Sequence, residues 1–324
     1  MKQTILIYSL LLITTVNAGE WSLKTINESS IEGRWDISID INGKKYPSWL
    51  EVVPSGSKWL VGSYVGIVGS ARPISKINFS NGKMSFTIPP QWESETNDVS
   101  FEATLQSDSL IGTVTGADGR IHNWVGHRAP YLHRATAPAW GKPIQLFTGT
   151  NLKGWHAMGD NQWVAAGGIL KNPRSGSNLV TDQKFNDFKL HIEFRCPAGS
   201  NSGVYLRGRY EVQIEDNEGK RPQKDLMGAI YGFLTPGEMA AKPAGEWQSY
   251  DITLIGRMVT IIVNGKTVIC SQEIPGITGG ALDSKEEEAG PIYLQGDHGA
   301  VEFRNIVLTP TSLSPKGQCH LVKG

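Results

Sequence analysis

The stretch FKLHIEFR, residues 188–195, decides the fold class, because its side chains alternate strictly between apolar and polar. Its apolar members all fall on one face of an extended chain: Phe188, Leu190, Ile192 and Phe194. A period of two is typical of a β-strand that buries one face and leaves the other polar. The same alternation returns at residues 201–207, 210–216 and 291–298. This part of the chain is therefore predicted to form a β-sandwich.

The preceding region, residues 31–134, also consists of short alternating segments separated by turn signals. The segment RWDISIDI, residues 34–41, ends at Asn42-Gly43, and a second Asn-Gly pair follows at residues 81–82. Asn-Gly between alternating segments is the strongest short-range hairpin signal. Strands spaced by about ten residues with tight turns predict a small antiparallel barrel. The Ala- and Pro-rich residues 135–143 (ATAPAWGKP) are interpreted as the linker to the sandwich.

Composition and charge exclude several classes of protein. The chain has 324 residues, with 31 Lys and Arg against 31 Asp and Glu, so its formal net charge is zero. A general nucleic-acid binder or an anionic-membrane binder needs a basic excess, so neither is expected. Charged residues make up 19% and hydrophobic residues 39%, as in a globular protein. Nothing in the sequence indicates a protein partner.

Residues 1–18 have the pattern of a signal peptide: a basic start, a nine-residue apolar run and the small-residue end Val16-Asn17-Ala18. The apolar run is too short to span a bilayer, and no longer one follows, so export to the periplasm or the extracellular space without membrane insertion is predicted. Export would permit disulfides. Of the three cysteines, Cys196 and Cys270 lie in predicted strands, and their pairing is left open by the sequence.

The composition of the polar faces of the C-terminal strands indicates a carbohydrate groove. They carry Arg, Glu, Gln, Tyr and His, whereas an ordinary solvent face would carry mostly Lys, Thr, Ser and Glu. Curved sheets of a β-sandwich can present such a face to a glycan. Acidic and cationic side chains placed together there would also suit acid–base chemistry.

Residues Leu146 to Leu308 resemble the 3-keto-disaccharide hydrolase family, which has a concanavalin-like jelly-roll fold. The resemblance rests on motifs in the family's order: LFTGTNLKGW (146–155), FKLHIEFR (188–195), NSGVYLRG (201–208), YEVQIEDN (210–217), GAIYG (228–232), GEWQSYDI (245–252), LQGDHG (294–299) and VEFRNI (301–306). It implies a jelly-roll domain over residues 144–310, followed by a tail over residues 311–324. The Gly-x-Trp start at Gly33 is similar to that of lipocalin-like barrels.

The resemblance implies a substrate that is a 3-keto disaccharide or another glycoside oxidised at C3. Removal of the C2 proton, β-elimination at C1 and hydration would need a base, a partner for the enolate oxygen and an acid. The candidate bases are Glu211 and Glu193, with Arg207 as the enolate partner and His298 or Tyr231 as the proton shuttle. The candidate substrate-binding residues are Gln213, Gln295, Tyr205 and Arg304.

The sequence leaves two other functions and one possible cofactor open. The spacing Glu211-x-Gln213-x-Glu215 resembles the strand of retaining jelly-roll β-glucanases, in which two carboxylates flank the scissile bond. A non-catalytic glycan-binding module is the other alternative, because fold does not fix function. Asp216 and Asp297 lie in loops beside the predicted groove and could hold a divalent metal ion.

Overall fold

The computed structural model describes residues 30–91 and 93–312, and within these ranges every regular element is a β-strand. The predicted all-β fold, a barrel followed by a jelly-roll sandwich, is therefore confirmed. None of the described residues forms a helix long and apolar enough to cross a membrane. The predicted signal peptide, residues 1–18, lies outside the described residues, as do Cys319 and most of the predicted tail.

The N-terminal region is a closed antiparallel barrel. Its strands follow chain order: β1 (Gly33–Ile41), β2 (Lys44–Ser55), β3 (Trp59–Val65), β4 (Arg72–Ser80), β5 (Lys83–Ile88), β6 (Val99–Gln106), β7 (Ser109–Thr115) and β8 (Ile121–Arg128). Strand β1 pairs with both β2 and β8, which closes the barrel and leaves no free edge. The predicted hairpin turn at Asn42-Gly43 is present, with φ values of 54° and 82° that suit these two residue types.

The barrel interior is filled with side chains. Trp35, Ile37 and Trp124 are almost completely buried, and the Phe86 and Phe101 rings stack with centroids 4.5 Å apart. The alternation in RWDISIDI therefore placed its apolar face correctly. An eight-stranded barrel has an interior just wide enough for side chains to fill, which is the case here.

The C-terminal region is a sandwich of two sheets. Its strands are β9 (Ile144–Gln145), β10 (Trp155–Ala157), β11 (Val164–Ala166), β12 (Ile169–Asn172), β13 (Leu179–Thr181), β14 (Phe188–Arg195), β15 (Asn201–Leu206), β16 (Tyr210–Glu215), β17 (Gln248–Ile255), β18 (Met258–Val263), β19 (Lys266–Glu273), β20 (Tyr293–Leu294) and β21 (Val301–Pro310). The five-stranded sheet has the order β10-β13-β20-β15-β16. The eight-stranded sheet has the order β11-β12-β21-β14-β17-β18-β19, with β9 paired to β21.

The core lies between these sheets and is built from the alternating apolar residues. Val204 and Val212 enter it from the five-stranded sheet, and Ile192 and Phe194 enter it from the eight-stranded sheet. The side chains that alternate with them point away from the core, on the outer face of each sheet. The polar faces therefore belong to two separate surfaces.

The barrel is anchored to the sandwich through β2. Trp49 is completely buried and joins the hydrophobic core of the sandwich, where its ring meets Phe233 edge-on at 5.3 Å. A Cβ on Gly276 would lie 2.1 Å from the Trp49 Nε1 atom, so only glycine leaves room for this ring. Barrel and sandwich belong to one compact unit.

Candidate functional site

A pocket of about 470 Å³ lies on the outer face of the five-stranded sheet. This volume is within the range of ordinary ligand sites, about 300–1,000 Å³. Its floor comes from β15 and β16, and loops from both parts of the chain form the walls. The lining residues are Val68, Gly69, Asn201, Tyr205, Glu211, Gln213, Tyr231, Gly279, Gly280, Tyr293, Gln295, Asp297 and His298.

Glu211 is the central carboxyl group of the pocket. It lies on β16 directly opposite Tyr205 of β15, and the Tyr205 hydroxyl donates a hydrogen bond to its Oε2 atom at 2.9 Å. A Cβ on Gly203 would come within 2.3 Å of the Glu211 Oε1 atom. Glycine at position 203 therefore provides the space into which the carboxyl group folds.

The environment of Glu211 keeps a proton on it near neutral pH. Only 4% of the residue is exposed, and this desolvation raises the pKa of its carboxyl group to about 8. The hydrogen bond from Tyr205 and the charge of His298 act in the opposite direction and lower the pKa, while Asp297 raises it. A carboxyl group with a pKa near the working pH can both accept and return a proton, as general acid–base catalysis requires.

Tyr231 is held beside Glu211 by the backbone. Its N–H group donates to the Glu211 carbonyl oxygen at 3.1 Å, and Ile230 forms a bridge with Val212 of the same strand. Burial, together with the negative charge of Glu211, raises the pKa of the Tyr231 hydroxyl to about 12. The hydroxyl is therefore protonated at neutral pH and available as a donor inside the pocket.

His298 and Asp297 form a pair at the rim. The Nδ1 atom of His298 lies 2.6 Å from the Asp297 Oδ1 atom, and Asn178 donates to the other carboxylate oxygen at 3.3 Å. The hydrogen bond to Asp297 raises the pKa of the His298 imidazole above its ordinary value, and burial opposes this. The carboxylate of Asp297 therefore favours the imidazolium form of His298.

Two glutamine side chains in the pocket each carry an amide oxygen that accepts no hydrogen bond from the described residues. The Oε1 atoms of Gln213 and Gln295 are buried and, within the described residues, have no hydrogen-bond partner. Both residues line the pocket. A buried acceptor without a partner costs about 1–3 kcal/mol, and hydroxyl groups of a bound sugar would satisfy both. Beside them the Tyr205 and Tyr293 rings stack, with centroids 4.2 Å apart.

Most of the residues predicted from the sequence meet in this pocket, but Glu193 and Arg304 do not. They lie on β14 and β21 of the other sheet, where the Arg304 Nε atom donates to the Glu193 Oε2 atom at 2.6 Å. Arg304 also stacks on the ring of Trp247 at 4.0 Å. Burial raises the pKa of Glu193, but hydrogen bonds from Asn305 and Arg304 outweigh it and lower the pKa overall.

Arg207 does not reach the pocket either, which corrects its expected role as the enolate partner. Strand β15 ends at Leu206, and Arg207 lies in the following turn with φ 54°, so the alternation that placed it beside Tyr205 no longer applies. Its guanidinium is buried elsewhere, against the Tyr210 ring at 5.1 Å, and donates to the Gly256 carbonyl oxygen at 3.2 Å. The basic side chain that lines the pocket is His298 instead.

The expected metal ligands do not form a site. Among the described residues, no three His, Cys, Asp or Glu side chains come together as ligands of a metal ion. Asp297 is engaged with His298 and Asn178, while Asp216 lies outside the pocket lining and accepts a hydrogen bond from Gly199. Of the two described cysteines, Cys196 is buried and Cys270 is exposed, and neither forms a disulfide.

The sequence did not indicate several lining residues. Gly279 and Gly280 lie in a loop without periodicity, and Val68 and Gly69 belong to the barrel, more than a hundred positions before Tyr205. A Gly-rich segment follows strand β3, and it was the one available signal for a close approach of the backbone. Tyr293 and Asn201 lie on strands with the predicted alternation and could have been included on that basis.

Known proteins resemble the sandwich region in sequence. A family profile described as the 3-keto-alpha-glucoside-1,2-lyase-like domain matches residues 142–309. A 3-keto-disaccharide hydrolase of Bacteroides thetaiotaomicron is 22% identical over 166 residues, which cover 39% of this chain and 57% of that relative. The match therefore spans less than two thirds of the relative's length.

Two solved structures of candidate glycosyl hydrolases from Parabacteroides distasonis also resemble the chain. One is 30% identical, with a TM-score of 0.44, and covers 55% of this chain and 92% of that one. The other is 26% identical, with a TM-score of 0.41, and covers 52% and 98%. The family profile covers 168 of the 324 residues, which is more than half of this protein. The protein belongs to the 3-keto-alpha-glucoside-1,2-lyase-like domain family.

Proposed function

We propose that this chain is an enzyme that cleaves glycosides carrying a ketone at C3, and that Glu211 is its base. The observation that carries the proposal is one buried carboxyl group with a pKa near 8, in a pocket that also holds two unpartnered glutamine oxygens. The 3-keto disaccharide named for the relative is the substrate class that this pocket would suit.

The chemistry follows from the ketone. A carbonyl at C3 acidifies the C2 hydrogen, because the electron pair left on C2 delocalises onto the C3 oxygen as an enolate. Glu211 in its ionised form takes the proton, and the enolate electrons then form the C1–C2 double bond while the C1–oxygen bond breaks. The departing oxygen takes up a proton, and addition of water to C1 completes a net hydrolysis. Each step uses a proton donor or acceptor of a type that the pocket holds.

The other roles follow from protonation state. The imidazolium form of His298, favoured by Asp297, would stabilise the negative enolate oxygen. Tyr231 keeps its proton at neutral pH and would donate it to the leaving oxygen. The side-chain oxygens of Gln213 and Gln295 would accept hydrogen bonds from the sugar hydroxyls.

The retaining-glucanase alternative needs a second carboxylate facing Glu211 across the scissile bond. Glu215, its expected partner four residues along β16, is outside the pocket lining and accepts a hydrogen bond from Asn217 at 3.1 Å. Asp297, the other carboxylate that lines the pocket, is paired with His298 and Asn178, so the described residues favour the elimination route over direct displacement.

The test is Glu211→Gln, which keeps the shape of the side chain and removes the base. Turnover of a 3-keto glucoside is expected to fall by about 10²–10⁴, the usual contribution of general acid–base catalysis. Glu215→Gln, on the same strand but outside the pocket, is the matched control and should keep the wild-type rate. Turnover of Glu211→Gln within about threefold of wild type would contradict the proposal, as would wild-type turnover without exchange of the C2 hydrogen in deuterated water.

We also propose that the protein is exported. The proposal rests on the signal-peptide pattern of residues 1–18 alone. Mass spectrometry of the native protein should find a mature chain that begins near Gly19. An intact N-terminus at Met1 or Lys2 would contradict export through cleavage at this position.

A further inference from the structure

The barrel contributes part of the pocket wall. The connection between β3 and β4, residues Gly66–Ala71, reaches the five-stranded sheet, and Val68 and Gly69 line the pocket with Glu211 and Tyr231. Val68 is 61% exposed, although it is a large apolar side chain. It is also the only aliphatic side chain among the described residues that line the pocket.

The position of this connection is fixed by close backbone contacts. The Gly280 N–H group donates to the Ile67 carbonyl oxygen at 2.8 Å. A Cβ on Gly279 would lie 2.2 Å from the Gly69 carbonyl oxygen, and a Cβ on Gly232 would lie 2.9 Å from the Ser70 Cβ atom. Gly279 and Gly232 of the sandwich therefore leave room for the barrel backbone, and together with the Gly280 hydrogen bond they hold Val68 at a defined place.

The same connection also packs next to Tyr231, through Ser70 and Ala71. Tyr231 directly precedes Gly232, which packs against Ser70 and Ala71 of the connection. The hydroxyl-rich ring of a 3-keto sugar pairs with polar groups such as Gln213 and Gln295. Val68 offers no hydrogen bond, so it suits an apolar face of the substrate, and its connection runs past the proton donor to the leaving oxygen.

We propose that Val68 contacts the leaving group of the substrate and selects 3-keto glycosides whose C1 substituent presents an apolar face. The barrel is then part of the substrate site, and its role is to recognise the leaving group. This inference rests on the proposed function, since the leaving group is defined by cleavage at C1. Val68 is a specificity-determining residue and takes no part in proton transfer.

The experiment compares two substrates that differ only at C1, the phenyl and the methyl 3-keto-glucosides. Val68→Asn has nearly the same volume but loses the apolar contact. Its KM for the phenyl glycoside should rise about tenfold, as for other apolar pocket contacts, with kcat within about threefold of wild type. The KM for the methyl glycoside should stay within about threefold of wild type. Val53→Asn is the matched control, because Val53 is an exposed barrel valine outside the pocket lining.

Two further measurements separate the possible failures. Val68→Ala is a smaller change at an exposed position, and it should shift the same KM in the same direction if Val68→Asn unfolds. Calorimetric binding of both glycosides to Glu211→Gln, alone and combined with Val68→Asn, gives the same comparison without turnover. If the wild type cleaves neither glycoside, the proposed function fails, while a tenfold selective loss of phenyl binding still supports the role of Val68. Equal effects on both glycosides, or no effect above threefold, overturn the inference.

Discussion

The hydrogen bond from Tyr205 to Glu211 gives a quantitative prediction about the acidity of the base. Tyr205→Phe removes a donor that lies 2.9 Å from the Glu211 Oε2 atom and keeps the buried ring. This bond favours the ionised carboxylate, so its loss should raise the pKa of Glu211 above its present value of about 8. A hydrogen bond to a charged group contributes about 1.5–3 kcal/mol, and 1.36 kcal/mol corresponds to one pKa unit, so the expected rise is about 1–2 units.

The assay is a carbon-13 NMR titration of the glutamate side chains, in which the Glu211 signal is identified by its absence from Glu211→Gln. The midpoint should move upward by about 1–2 units, and kcat/KM at pH 7 should fall by about 10–100-fold because fewer molecules carry the ionised base. Tyr293→Phe is the control, because its ring stacks on Tyr205 while its hydroxyl makes no hydrogen bond to Glu211 in the described structure. An unchanged midpoint in Tyr205→Phe would refute the reasoning.

Two other predictions concern the contact between barrel and sandwich. Burial and the neighbouring Glu286 raise the pKa of Asp36 to about 9, so the folded state holds a proton that the unfolded state releases near pH 4. The free energy of unfolding should therefore fall as pH rises between these values, by up to about 1.4 kcal/mol per pH unit. Asp36→Asn should remove this slope in urea titrations from pH 5 to 9. A slope that survives the substitution would assign it to other groups. Trp49→Ala should lower the free energy of unfolding by about 3–5 kcal/mol, because a fully buried indole is lost from the sandwich core. A loss below 1 kcal/mol would mean that the barrel is not anchored through this residue.

The sequence was informative about which face of a strand each residue occupies. The alternation at residues 201–207 and 210–216 predicts Val204 and Val212 on one face and Tyr205 and Glu211 on the other. In the structure the two valines lie in the core, and Tyr205 and Glu211 line the pocket. This succeeds because the period of two is a local property of an extended backbone. The family motifs on these strands also identified the polar side chains of the pocket, with an exception at the end of β15. Arg207 was misplaced because β15 stops at Leu206 and the turn reverses the alternation.

The amino-acid sequence by itself determined the all-β class, the barrel followed by the sandwich, and the core face of each strand, because these depend on neighbours within a few residues. Only the tertiary structure decided which polar faces share a surface. Glu193 has the same local pattern as Glu211, yet hydrogen bonding between distant strands puts it in the other sheet. Val68 enters the pocket for the same reason, since the packing of the Gly66–Ala71 connection against Gly232 and Gly279 joins segments far apart in the chain. Pairing and packing of this kind depend on the whole folded chain, and no local pattern encodes them.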